Sequence, residues 1–227
     1  MNFLAHLWLA DRTRTSLSGA VLGDVAHGAD LSMYPRALET GIRLHRRVDI
    51  ATDRHPAISA VRARFAQGAR RYAGIILDVV CDHVLARNWD TWNPQPLPDF
   101  CARAGHALAA DSAWFVHAGG RAVNAEKFAQ LLLSYQSAEG IDRALTRIAT
   151  RLKKPDALLQ ASHDWRQWAQ ALTPQFEAIL TDVLITATAD DPARAQVIAA
   201  APAQPPNTPA SSVGSTISSA DLLRPIK

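Results

Sequence analysis

Apolar residues recur along most of the chain at helical spacing. Phe3, His6, Leu7 and Ala10 share one stripe, and Leu17, Val21 and Asp24 share another. Leu38, Ile42, His45 and Asp49 form a third. The pattern continues through Phe128, Leu131, Leu132 and Tyr135, then Ile141, Leu145, Ile148 and Leu152. Trp165, Trp168 and Leu172 follow, and Phe176, Ile179, Leu180 and Val183 close the series. Breakers separate these stretches: Gly28, Pro35, Pro56, the WNPQPLPDF loop around 92–100, Pro155 and Pro174. The run GIILDVV has the length of a buried strand, but it continues through Leu85 without a turn signal and has no strand to pair with. The pattern therefore predicts an all-α fold, one helical domain over residues 1–188. Residues 189–227 are rich in Pro, Ala and Ser, with too few large apolar residues to offset chain entropy, and are expected to be a disordered tail.

Polar residues on the apolar stripes are the informative departures. His6, Asp24 and His45 each fall where a core residue belongs. Asp78 and Asp82, four apart in GIILDVVCDHVLARNW, share a helix face. Two like charges at that spacing repel and call for a cation. An arginine from RLHRRVD would serve, and so would a divalent metal. Four separate segments each turning an acid or imidazole inward favour the metal. Mixed imidazole and carboxylate donors suit Mn²⁺, Fe²⁺ or Zn²⁺ better than an all-oxygen Ca²⁺ cage. A metal so held lowers the pKa of a bound water and braces a phosphate oxygen. Arg46 and Arg47, beside His45, are placed to clamp that phosphate. His55, before Pro56, belongs to a loop. His106, His117 and His163 have no ligand-like company and read as structural or solvated, while His27 stays undecided.

Composition narrows the class. Of 227 residues, 48% are hydrophobic and 20% charged, as in an ordinary globular protein. A net charge of +3 is too small for a dedicated nucleic-acid binder. The basic excess gathers at Arg62, Arg64, Arg70 and Arg71, a solvated face or a dock for an acidic partner. Cys81 and Cys101 make no disulfide framework and read as buried or free thiols in a reducing compartment. The opening MNFLAHLWLADR lacks a signal-peptide n-region and is too short an apolar run to span a bilayer, so a cytoplasmic location with no membrane partner is expected. No glycine-rich phosphate loop is present.

MNFLAHLWLA, SGAVLGDVAHG at 18–28, GIRLHRRVDIATD at 41–53 and ILDVVCDHVLARNW at 76–89 resemble the acyl carrier protein phosphodiesterase family in order and spacing. The resemblance covers about residues 1–188, with nearly all of its specificity in the first ninety. It implies a helical, noncanonical member of the HD phosphohydrolase superfamily that removes 4′-phosphopantetheine from holo-acyl carrier protein. The implied cofactor is a divalent cation, typically Mn²⁺, with Mg²⁺, Fe²⁺ or Zn²⁺ as alternatives. Carried over by position, the metal cluster draws on His6, Asp24, His45 and Asp78, with Asp82 and His83 as ligands, supporting partners or proton donors. Asp49, Asp82 or His83 would orient the water or protonate the leaving serine oxygen, with Arg46 and Arg47 stabilising charge. Arg62, Arg64, Arg70 and Arg71 would then meet the acidic carrier protein. The chain departs from the usual HD pattern in having no consecutive His-Asp pair. Its nearest equivalents are the reversed Asp82-His83, and His45 with Asp49 one turn later. Trp8 also stands where a second polar residue is expected. The alternatives are an HD-type nucleotide phosphohydrolase and a noncatalytic module that binds a carrier protein.

Overall fold

A computed structural model of the chain describes residues 1–189, and the expected tail lies beyond that range from Asp190 on. Every regular element among the described residues is helical. In order they are α1 (Phe3–Arg12), α2 (Leu17–Leu22), α3 (Arg36–Arg54), α4 (Pro56–Ala63), α5 (Ala73–Arg87), α6 (Trp89–Trp92) and α7 (Leu97–Ala110). These are followed by α8 (Ser112–His117), α9 (Ala125–Ser134), α10 (Ala138–Ala149), α11 (Pro155–Ser162), α12 (Trp165–Leu172) and α13 (Phe176–Thr188). The prolines read as breakers sit at helix starts. Pro56 and Pro155 open α4 and α11, where a missing N–H costs nothing, and Pro35 precedes α3. The WNPQPLPDF stretch is shorter as a loop than expected, because Leu97–Phe100 already forms the first turn of α7. None of these helices is long and apolar enough to cross a membrane.

GIILDVV is helical, as its continuation through Leu85 required. Helix α5 is buried on nearly every side, with Ile76, Leu77, Val79, Val80, Val84 and Leu85 all in the core. It packs against α1, α4, α10 and α12, so it forms the central rod of the domain. Because neighbours surround it, its polar residues are aimed at particular partners rather than at solvent.

Two helix crossings fix the site. Helices α2 and α3 meet through Gly19 and Gly41, whose backbones approach so closely that a Cβ on Gly41 would lie 2.7 Å from the Gly19 Cα. That contact brings the end of α2 over the middle of α3. Helix α1 lies across both α3 and α5. Its two first-turn amides meet Asp82 of α5: Leu4 N–H donates to Oδ2 at 2.8 Å and Ala5 N–H to Oδ1 at 3.0 Å. Asn2, the residue in the N-cap position, supplies no such bond. A carboxylate from another helix thus takes the place of a local cap and favours the positive end of α1. The predicted Leu17–Val21–Asp24 stripe is corrected at its end. The helix stops at Leu22, and Asp24 lies in the following turn.

Candidate metal centre

Helix α1 contributes His6, the turn after α2 contributes Asp24, α3 contributes His45 and Asp49, and α5 contributes Asp78. Asp49 is central. Its Oδ1 lies 3.0 Å from His6 Nε2, and its Oδ2 lies 3.1 Å from Nε2 of His45, one turn earlier on α3. The two imidazoles stack, with ring centroids 3.9 Å apart and planes 21° from parallel. Asp24 Oδ1 stands 3.7 Å from His45 Nε2. Ligand atoms of His6, His45 and Asp49 all lie within 4.8 Å of one another, the spread of a single metal's coordination sphere. Asp78 Oδ1 accepts from the Met1 α-amino group at 2.9 Å, and that group is also 3.7 Å from Asp49.

The donor chemistry fits a cation. His45 Nδ1 is 2.7 Å from the Ala20 carbonyl, so Nδ1 carries the proton and donates to it. The remaining ring atom, Nε2, then turns a lone pair toward two carboxylates. Three acceptors converging on one point are stable only with a second proton on the ring or a metal ion among them. A backbone carbonyl fixing the far nitrogen is also how metal-binding histidines are usually oriented. His6 Nδ1, by contrast, is buried with no hydrogen-bond partner. Gly23 allows this packing, since a Cβ there would overlap the His45 ring.

The electrostatics agree. Burial works against charge on His45, but the hydrogen bond to Asp49 and the adjacent Asp24 raise its affinity for a proton above the ordinary value. Burial, reinforced by the neighbouring His45, lowers His6 to about 3 despite Asp49. Burial would raise Asp49, but hydrogen bonds from His45 and His6 hold it well below the usual carboxylate range. Asp24 keeps about a third of its side chain open (32%), and desolvation in the cavity pushes its carboxyl up to about 6. Burial would lower the Met1 ammonium, yet Asp78 and Asp49 push it up to about 11. The cluster thus holds more negative charge than its own groups neutralise.

The site opens into a cavity of about 170 Å³, lined by Asp24, Asp49, Asp53, Asp78, Ile75 and Ile148, with Met1, Asn2 and Val79 completing the wall. The family model for acyl carrier protein phosphodiesterase matches residues 1–183, a span that includes every residue of this site. The chain belongs to the acyl carrier protein phosphodiesterase family. An acyl carrier protein phosphodiesterase of Enterobacter sp. (strain 638) is 36% identical over 180 residues, covering 78% of this chain and 92% of that protein. Relatives with the same name from Shigella boydii and Escherichia coli are 34% identical over 183 residues, with the same coverage. No solved structure matches the chain.

The other candidates from the sequence lie around this cluster rather than in it. Both oxygens of Asp82 bond to the α1 amides, and burial raises its carboxyl to about 7 against the pull of those donors. His83, the next residue on α5, points elsewhere and bonds through Nδ1 to the Tyr135 carbonyl at 2.7 Å. Arg46 donates to the Ala26 carbonyl at 2.9 Å and so braces the turn that carries Asp24. Arg47 does not line the cavity, and its Nε is buried without a partner. Arg62 pairs with Asp53 of the cavity wall. Arg64 lies over Trp168, Arg70 donates to the Ala63 carbonyl and Arg71 lies over Tyr72. His55 pairs with Asp182 at 3.3 Å, and His117 packs on Tyr34 and Trp114. Cys81 and Cys101 are buried free thiols. The sequence reading missed Asp53, Asn2 and the Ala20 carbonyl. Asp53 alone had a signal, since it follows Asp49 by one turn on the same face of α3.

Proposed function

We propose that the chain hydrolyses the phosphodiester joining 4′-phosphopantetheine to holo-acyl carrier protein, using a divalent cation held by His6, His45 and Asp49. The observation that carries this reading is the convergence of His45 Nε2 with Asp49 and Asp24, three acceptors around one point. Four carboxylates line the cavity and would repel a phosphodiester unless a cation stood between them. When bound, such an ion supplies Lewis acidity toward a phosphate oxygen and lowers the pKa of water. Mn²⁺ is the expected ion, matching the mixed nitrogen and oxygen donors.

The chain's own groups divide the remaining work. Asp49 bridges both imidazoles and fixes their separation. The Ala20 carbonyl sets the His45 tautomer. Asp24, partly open beside His45, is the carboxylate placed to move a proton for the attacking water or the departing serine oxygen. Asp78 holds the Met1 end of the chain beside the cavity, and Asp82 holds the start of α1 in place. Arg62, paired with Asp53 of the cavity wall, belongs with Arg64, Arg70 and Arg71 to the basic stretch that receives the acidic carrier protein. A carrier-protein substrate implies the cytoplasm.

The narrow cavity has no aromatic wall, which suits a thin pantetheine thread better than a nucleobase. The test is incubation of purified protein with holo-acyl carrier protein and Mn²⁺, with and without chelator, followed by mass measurement. The expected result is metal-dependent loss of the 4′-phosphopantetheine mass from the carrier, with nucleotides left uncleaved. Turnover of nucleotides but not of holo-carrier would overturn the substrate, and no turnover with any metal would overturn the activity.

A further inference from the structure

His83 is five residues beyond Asp78 on α5, about 140° further round the helix, so it faces a different neighbourhood from the metal cluster. That neighbourhood is a second cavity, of about 390 Å³, between the end of α5 and α12. Its chemistry is opposite to that of the first. His83, Arg87 and Arg166 line it beside Trp165 and Gln170, and none of its lining residues is acidic.

The wall is built rather than incidental. His83 Nδ1 donates to the Tyr135 carbonyl, which leaves Nε2 as the free ring nitrogen, and the ring stands edge-on to Trp165 at 4.9 Å. Trp165 is held in turn by its indole N–H, which donates to Asp142 at 2.7 Å. Arg166 lies over the Trp165 face at 4.7 Å and pairs with the same Asp142 at 3.3 Å. Arg87 is exposed and makes no ion pair among the described residues. Burial lowers the pKa of His83 against its hydrogen bond to the Tyr135 carbonyl, and the charges of Arg87 and Arg166 act in the same direction as burial.

We propose that this cavity is a second ligand site, which takes a small molecule through a phosphate monoester group held between Arg87 and Arg166. Two guanidinium forks suit a dianionic phosphate. The volume falls within the ~300–1,000 Å³ range of small-molecule sites and exceeds what a bare phosphate fills, so the phosphate is carried on an organic body. The site stands on its own residues and does not depend on the metal reading.

Calorimetric titration of the full chain in chelator tests it, because the metal-free acidic cavity repels anions and stays silent. Glycerol 3-phosphate and inorganic phosphate are the probes, against wild type, Arg87→Ala and Arg166→Ala. The expected result is saturable one-site binding of glycerol 3-phosphate, weakened about tenfold or more in Arg87→Ala. Inorganic phosphate binding as tightly would support the same site with the free ion as its source. Arg87 is solvent-exposed, so its removal leaves the fold intact, which thermal melting checks. No saturable binding of either probe, or binding unchanged in both variants, would overturn the proposal.

Discussion

His6 and His45 stack face to face at 3.9 Å, and Asp49 hydrogen-bonds the edges of both rings. Two imidazoles this close are not both protonated to imidazolium, and the positive charge falls to His45 because both Asp49 and Asp24 face it.

That asymmetry predicts a pH dependence of stability. His6 is lowered from 6.5 to about 3 in the folded protein. Between those values the unfolded chain takes up a proton that the folded chain does not, so stability falls as pH falls through the window. A tenfold difference in proton affinity between folded and unfolded chain is worth about 1.4 kcal/mol, and the effect reaches several kcal/mol because His6 is fully buried. Urea unfolding of chelator-treated protein from neutral pH down to about 4 measures it. Wild type is expected to lose more stability over that range than His6→Asn; parallel curves would contradict the assignment.

Gly23 and His45 are packed so tightly that a methyl group on Gly23 would occupy part of the ring's space. Gly23→Ala is expected to tilt His45 off its bond to the Ala20 carbonyl and weaken metal binding about 10- to 100-fold. It is also expected to lower stability by about 1–3 kcal/mol. Gly68→Ala is the control, since a Cβ there meets nothing within 4 Å. Metal titrations of the two variants should therefore differ.

Asp82 separates architecture from chemistry. Asp82→Ala removes the acceptor for two buried amides, each costing about 1–3 kcal/mol when left unpaired. The expected result is a large drop in unfolding free energy, with metal content per folded chain unchanged. Asp82→Asn keeps one acceptor oxygen and should fall between wild type and Asp82→Ala. Loss of metal from folded Asp82→Asn would return Asp82 to the ligand set.

Much of this was legible in the sequence. The stripes through α1, α3, α9, α10, α12 and α13 located those helices, while α11 carried none. Of the inward polar residues, His6 and His45 meet at Asp49, Asp24 reaches His45 from the turn after α2, and Asp78 lines the adjoining cavity. What spacing does not reveal is which atoms meet across helices. Asp49 follows His45 by one turn, so it was known to share that face, but its bridge to His6 depends on where α1 crosses α3. Asp78 and Asp82 do share a face, as their spacing required. The start of α1 lies against that face, however, so its amides take Asp82 and the Met1 amine takes Asp78. His83 looked like part of the same cluster only by adjacency, and one step along a helix turns a side chain about 100°. Arg46 looked like a phosphate clamp, but the Ala26 carbonyl is its partner.

The most direct test of the metal centre compares Asp49→Asn with Asp78→Asn. Each protein is loaded with Mn²⁺, dialysed and measured for metal per folded chain. A centre built on His6, His45 and Asp49 predicts about one ion in wild type and in Asp78→Asn, and almost none in Asp49→Asn, because Asp49 alone touches both imidazoles. Equal metal in wild type and folded Asp49→Asn, or loss in Asp78→Asn alone, would contradict it.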